Sequence, residues 1–149
     1  MSGSLFDTPV WLAAIFPTHP FHARAQQALQ QATPALPVVW CRSTQQSFLR
    51  LATTPTLLKA YGAEGMTNRD ALVVLDTLQA LPQVALREEP PGMFALWCQL
   101  AGADTASPKV WMDAYLAAFA ITGGLTLVTL DRDFRNFVPQ ELDLVMLNP

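Results

Sequence analysis

A chain of 149 residues with a formal charge of −3, 51% apolar and 14% charged, is too apolar for a disordered tail and long enough for one buried core. It offers nucleic acid no overall basic field, so a polyanionic substrate would have to be held by bound cations and a local Arg/Lys cluster. No uncharged apolar run approaches the ~20 residues that cross a bilayer, and the first residues carry no basic leader, so the expected location is the cytoplasm, away from membranes.

The apolar excess also predicts a homo-oligomer or a partner that covers apolar surface. Cys41 and Cys98 stand far apart in apolar surroundings, outside any CxxC pair. They read as buried, reduced thiols.

Leu5-Phe6-Asp7 reads as the end of a short first strand, and Thr8-Pro9 opens a helix over Val10–Phe16, Pro9 being suited to a first helical turn. Pro17-Thr18-His19-Pro20 breaks it, and a second helix runs from Phe21 to Ala32. Leu36–Trp40 reads as the second strand. Arg42–Leu51 returns to helical spacing, and a short helix follows around Leu57-Leu58. After the loop Gly62–Gly65, Thr67-Asn68-Arg69-Asp70 has the form of a capping box, for a helix that runs to about Leu81. Val84–Leu86 reads as a third strand and Phe94–Leu100 as a helix. Ser107-Pro108 starts the most apolar helix, which Gly123-Gly124 stops near Thr122. Leu125–Leu130 is the clearest buried strand, and Leu144–Leu147 is the last. Strands alternating with helices predict a single α/β domain over 1–149, with a mostly parallel central sheet of about five strands flanked by helices.

In an open parallel sheet the working site lies beyond the carboxyl ends of the strands. Asp7 ends the first strand, Asp131 ends the strand Leu125–Leu130, and Asp133 follows in the turn Asp131-Arg132-Asp133-Phe134. Asp113 lies in the helix Val110–Phe119, which has almost no polar face. A lone ionised carboxylate buried there would cost several kcal/mol, and a metal ion would remove that cost. Each aspartate has a plainer role: Asp7 as a helix cap, Asp131 and Asp133 as turn residues, Asp113 paired with an Arg or hydroxyl. Their convergence on one sheet edge favours a metal site. Carboxylates without His or Cys point to a hard cation, Mg²⁺, with Mn²⁺ as its substitute. Such a site activates water and offsets charge in phosphodiester displacement.

These segments resemble the PIN-domain nucleases, and within them the VapC toxins of toxin–antitoxin operons. The matching stretches are Leu5-Phe6-Asp7-Thr8 with Val10–Ala13, Cys41–Gln45 with Phe48–Leu51, Met112–Ala118, and Leu127–Phe134. They span nearly the whole chain. The resemblance implies a single PIN-like fold with the Asp7 and Asp131 strands adjacent, Mg²⁺-dependent endoribonuclease activity, inhibition by a cognate antitoxin, and a homodimer. It implies metal-binding and catalytic roles for Asp7, Asp113 and Asp131, with Asp133 assisting at the metal, and support from the hydroxyls of Thr8 and Thr129. Two positions depart from the family pattern. Gln45 stands where many members carry a Glu early in the helix and brings no charge. Pro9 stands where Asn is common and lacks a backbone N–H.

Arg42, Arg50, Arg132 and Arg135 are the candidates for phosphate contact. His19 and His22 have a metal-like spacing but flank Pro20 at a helix start, where they read as solvated. Trp11 and Trp111 read as core. A haloacid-dehalogenase-like phosphatase would need a second Asp two residues after Asp7, where Pro9 stands. The rival from another class is a non-catalytic PIN-like module that binds RNA or a protein partner.

Overall fold

Side chains along a strand point alternately to the two faces of its sheet, and here that alternation divides the core into two layers. The computed structural model describes residues 3–148; Met1, Ser2 and Pro149, at the ends of the expected domain, lie outside them. Five strands are formed among the described residues: β1 (Ser4–Phe6), β2 (Val38–Trp40), β3 (Val84–Leu86), β4 (Thr126–Thr129) and β5 (Leu144–Met146). They lie in the order β3-β2-β1-β4-β5, and each neighbouring pair is parallel. Phe6, Trp40 and Val128 enter one layer with Trp11 and Phe48. Leu5, Val39 and Leu127 enter the other with Phe119 and Phe134.

The first layer is covered by α1 (Thr8–Ile15), α2 (His22–Gln31), α3 (Arg42–Ala52), α4 (Pro55–Ala60) and α5 (Asn68–Gln79). The second is covered by α6 (Met93–Ala101) and α7 (Val110–Gly123), together with a 3-10 helix at Arg132–Gln140. The chain moves outward from β1 to β3 on one side, then crosses back through α6 and α7 to place β4 on the other side of β1. The strand order therefore reverses at the β1/β4 pair, where a parallel sheet opens its crevice.

Most boundaries fall where the sequence places them, and the differences have local causes. Leu36 precedes β2, because a turn closed by its N–H to Thr33 O at 3.1 Å occupies that segment and leaves it 41% exposed. The 3-10 helix replaces an expected turn. Phe134 and Phe137, three residues apart, lie on one side of a three-residue turn and are both buried. Trp11 is core as expected, but Trp111 is exposed, since burial in α7 begins only at Ala114. Cys41 is buried and Cys98 is exposed, and both are free. Neither histidine is a ligand candidate here: His22 Nδ1 pairs with Ala13 O at 2.8 Å, and His19 Nδ1 accepts the Phe21 N–H.

Candidate metal centre

Asp7 is placed by the β1/β4 pairing. Its N–H donates to Val128 O at 3.0 Å, continuing the ladder one residue past β1. Its side chain then caps α1, with Oδ1 accepting the Thr8 N–H at 2.9 Å. Pro9 costs nothing at that helix start, because the first amide hydrogens of a helix have no partner within it. The other oxygen, Oδ2, accepts from Thr129 Oγ1 at 2.9 Å, and that same hydroxyl accepts the Asp131 N–H at 3.0 Å. One β4 hydroxyl therefore orients the first carboxylate and pins the loop that carries the others. Asp131 Oδ1 in turn accepts the Asp133 N–H at 2.9 Å, capping the 3-10 helix.

Carboxylate oxygens of Asp113, Asp131 and Asp133 lie within 4.8 Å of one another. Asp7 is outside that tight group. It shares with Asp113 a cavity of ≈ 250 Å³, also lined by Thr8, Ser47 and Arg50. The structure corrects the expected burial. Asp113 is only half-buried in the first turn of α7, where the helix dipole favours an anion. Asp7 is the buried carboxylate, 8% exposed. Burial pushes its pKa up to about 6, against the hydrogen bonds from Thr129 and Thr8, and the charges of Asp113 and Asp131 raise it further. The Asp113 carboxyl is also raised, by burial and then by Asp131, with Lys109 opposing.

Crowded carboxylate oxygens beside a buried, destabilised Asp7 fit a hard divalent cation, whose charge would offset the repulsion. Thr129→Val tests the hydroxyl that links the two sides. It leaves the Asp131 N–H unpartnered and strips Asp7 of a donor, so a stability loss of about 1–3 kcal/mol is expected in denaturant titrations. Mg²⁺ affinity should fall with it, most sharply as the pH is lowered towards 6.

The remaining expected residues divide. Thr8 lines the Asp7 cavity, as does Arg50. Gln45 does not: it is buried, accepts from Arg42 Nη1 at 2.8 Å and donates to Gln79 Oε1. Helical spacing accounts for this, since the α3 side chains that line the cavity are Ser43, Thr44, Ser47, Arg50 and Leu51. Ser47, two residues on, reaches the cavity where Gln45 does not. Arg42 is thus committed to Gln45, while Arg132 and Arg135 are exposed on the 3-10 helix and line neither cavity beside Asp113. Lys109 was not foreseen from the sequence. It pairs with Asp133 at 2.5 Å and with Asp131 at 3.7 Å. Its place four residues before Asp113, on the same helical face, was the available clue.

A parallel sheet in the order β3-β2-β1-β4-β5, with aspartates gathered at its switch point, is the arrangement of a PIN domain, and residues 4–138 match the PIN domain family. The chain belongs to that family. It is similar to Ribonuclease VapC41 of Mycobacterium tuberculosis, in both strain CDC 1551 / Oshkosh and strain ATCC 25618 / H37Rv. Each is 44% identical over 143 residues, covering 95% of this chain and 97% of the relative. Its fold is that of VapBC2 from Rickettsia felis bound to a DNA fragment from their promoter, at 14% identity and a TM-score of 0.64, over 96% of this chain and 97% of that one. VapBC-1 from nontypeable Haemophilus influenzae shares it at 12% identity and a TM-score of 0.62, over 98% of both chains. FitAcB from Neisseria gonorrhoeae does so at 18% identity and 0.60, over 96% of both.

Proposed function

We propose that the chain is a Mg²⁺-dependent endoribonuclease that hydrolyses phosphodiester bonds in RNA as the toxin of a VapBC-like pair. The observation that carries this reading is the group of three carboxylates beside buried Asp7 at the β1/β4 switch point. The 44% identity to a protein named a ribonuclease supports the substrate class. Asp113, Asp131 and Asp133 would hold the cation, with Asp7 facing it across the cavity and Mn²⁺ able to take its place. The chemistry a divalent ion supplies at such a site is activation of water and neutralisation of charge on the attacked phosphate. Thr129 fixes the direction of Asp7, and Thr8 supports it through its backbone N–H at the start of α1. Arg50 offers the phosphate a positive contact on the Asp7 side of the pocket.

The VapBC assemblies among the structural neighbours support a cognate antitoxin as partner. Exposed apolar side chains such as Phe94, Trp111 and Met112 support contact with another chain. The protein is taken to act as a homodimer in the cytoplasm, and among the described residues no helix is long and apolar enough to cross a membrane. Light scattering of the purified chain without antitoxin should give twice the monomer mass, and a soluble monomer at micromolar concentration would count against the dimer.

Incubation of a structured RNA with the purified protein tests the activity. Cleavage with Mg²⁺ and none in excess EDTA is expected. Metal binding without cleavage of any RNA would instead favour a non-catalytic PIN-like module that binds RNA or a protein partner.

A further inference from the structure

Lys109 stands where the acidic group needs a cation. Its Nζ donates to Asp133 Oδ2 at 2.5 Å and lies 3.7 Å from Asp131 Oδ2, and these are the only ion pairs among the described residues. The chain has nine Lys and Arg residues, yet among the described residues only this one forms an ion pair, and it does so with the very carboxylates that would hold a metal. It begins the turn that ends at Asp113, so both side chains rise from one face of α7. Lys109 and Asp113 are also the two residues that line both openings of the site. One is the ≈ 250 Å³ cavity shared with Asp7. The other is a wider groove of ≈ 570 Å³ walled by Gln99, Leu100, Asn136 and Phe137. The ammonium therefore stands where the two openings meet, beside the carboxylates.

We propose that Lys109 is the built-in counter-ion of this site, competing with the divalent cation for Asp131 and Asp133 and, once displaced, contacting a phosphate oxygen of the bound RNA. The proposal deepens the nuclease reading and rests on it. A divalent cation and an ammonium on the same carboxylates repel each other, so metal binding weakens the Lys109 pairs. The pairs are easily given up, because the side chain is 69% exposed and exposed ion pairs are weak. Without metal, the ammonium relieves repulsion among the three carboxylates. With metal, a flexible four-carbon stem with three donors stays anchored at the start of α7, free to follow a phosphate at the junction of the two openings.

Calorimetric titration of Mg²⁺ in the absence of RNA tests the first half. Lys109→Met should bind Mg²⁺ roughly two- to fivefold more tightly than wild type, the range that an exposed ion pair commands. Lys109→Arg, which keeps the charge, should stay close to wild type. Unchanged or weaker binding in Lys109→Met overturns the counter-ion role. Cleavage assays at saturating Mg²⁺ test the second half. Lys109→Met should lose about tenfold in kcat/KM, chiefly through a higher KM, as expected for a lost phosphate contact. Undiminished cleavage overturns that contact. A wild-type protein that cuts no RNA would sink the nuclease reading instead, and the metal titration would still decide the counter-ion role.

Discussion

Asp7→Asn is expected to yield a folded protein that has lost RNA cleavage by a factor on the order of 10²–10³, yet is more stable than wild type when metal is removed. The reason lies in the pKa of about 6 that burial gives the Asp7 carboxyl, against 3.8 for a free side chain. A folded-state pKa above the unfolded one means that the native protein binds the proton more tightly. The contribution of Asp7 to stability is therefore full below pH 3.8 and falls as the pH rises to about 6, beyond which the buried charge carries its whole cost. That cost is on the order of 3 kcal/mol. Asparagine removes the charge and keeps an oxygen for the Thr8 N–H, but it offers Thr129 a poorer partner, which returns about 1 kcal/mol. A net gain of about 1–2 kcal/mol is expected at neutral pH in EDTA, disappearing in acid, as read by urea denaturation at the two pH values. With saturating Mg²⁺ the order should reverse, because the wild type gains more from binding. An Asp7→Asn protein less stable than wild type in EDTA at neutral pH would show that the carboxylate is not under strain.

Trp11→Ala is expected to produce the largest loss of stability, about 3–5 kcal/mol, a large share of the 5–15 kcal/mol that holds a typical domain together. Trp11 has no exposed surface and stacks on Trp40 with ring centroids 3.8 Å apart and planes within 3°. It also leans on Phe6 at 5.1 Å, so it joins α1 to the strand that leads into Asp7. Its removal should therefore loosen the candidate metal site as well as the core. Trp11→Phe should cost much less, because it removes an indole Nε1 that is buried without a partner. Equal losses for the two variants in thermal or denaturant unfolding would contradict this account of the core.

Much of this was legible in the sequence because it rests on short-range rules. Glycines and prolines punctuate the helices, and β1 and β4 read as strands because apolar residues run up to an aspartate. The PIN-like segments brought Asp7, Asp113, Asp131 and Asp133 to one edge. Three features escaped because they depend on how helices rotate against the sheet. The apolar sequence of α7 predicts burial for Asp113, but its first turn stands clear of the core and the buried charge is Asp7. The position of Gln45 in the α3 segment predicts a place at the pocket. A rotation of α3 that puts Ser43, Ser47 and Arg50 on the cavity turns Gln45 towards Gln79. Lys109 carries only a faint local signature, its spacing of four residues from Asp113. Its meaning comes from Asp131 and Asp133, more than twenty residues away in sequence.

The central claim is that these aspartates form one divalent-metal site, and titrating Mn²⁺ into wild type and into Asp113→Asn tests it most directly. Asp113 belongs to the tight carboxylate group and also lines the Asp7 cavity, so both halves of the site depend on it. The expected result is saturable binding to wild type and an affinity at least about tenfold lower in the variant, with circular dichroism showing the same fold in both. Equal affinity in the two proteins would contradict the assignment.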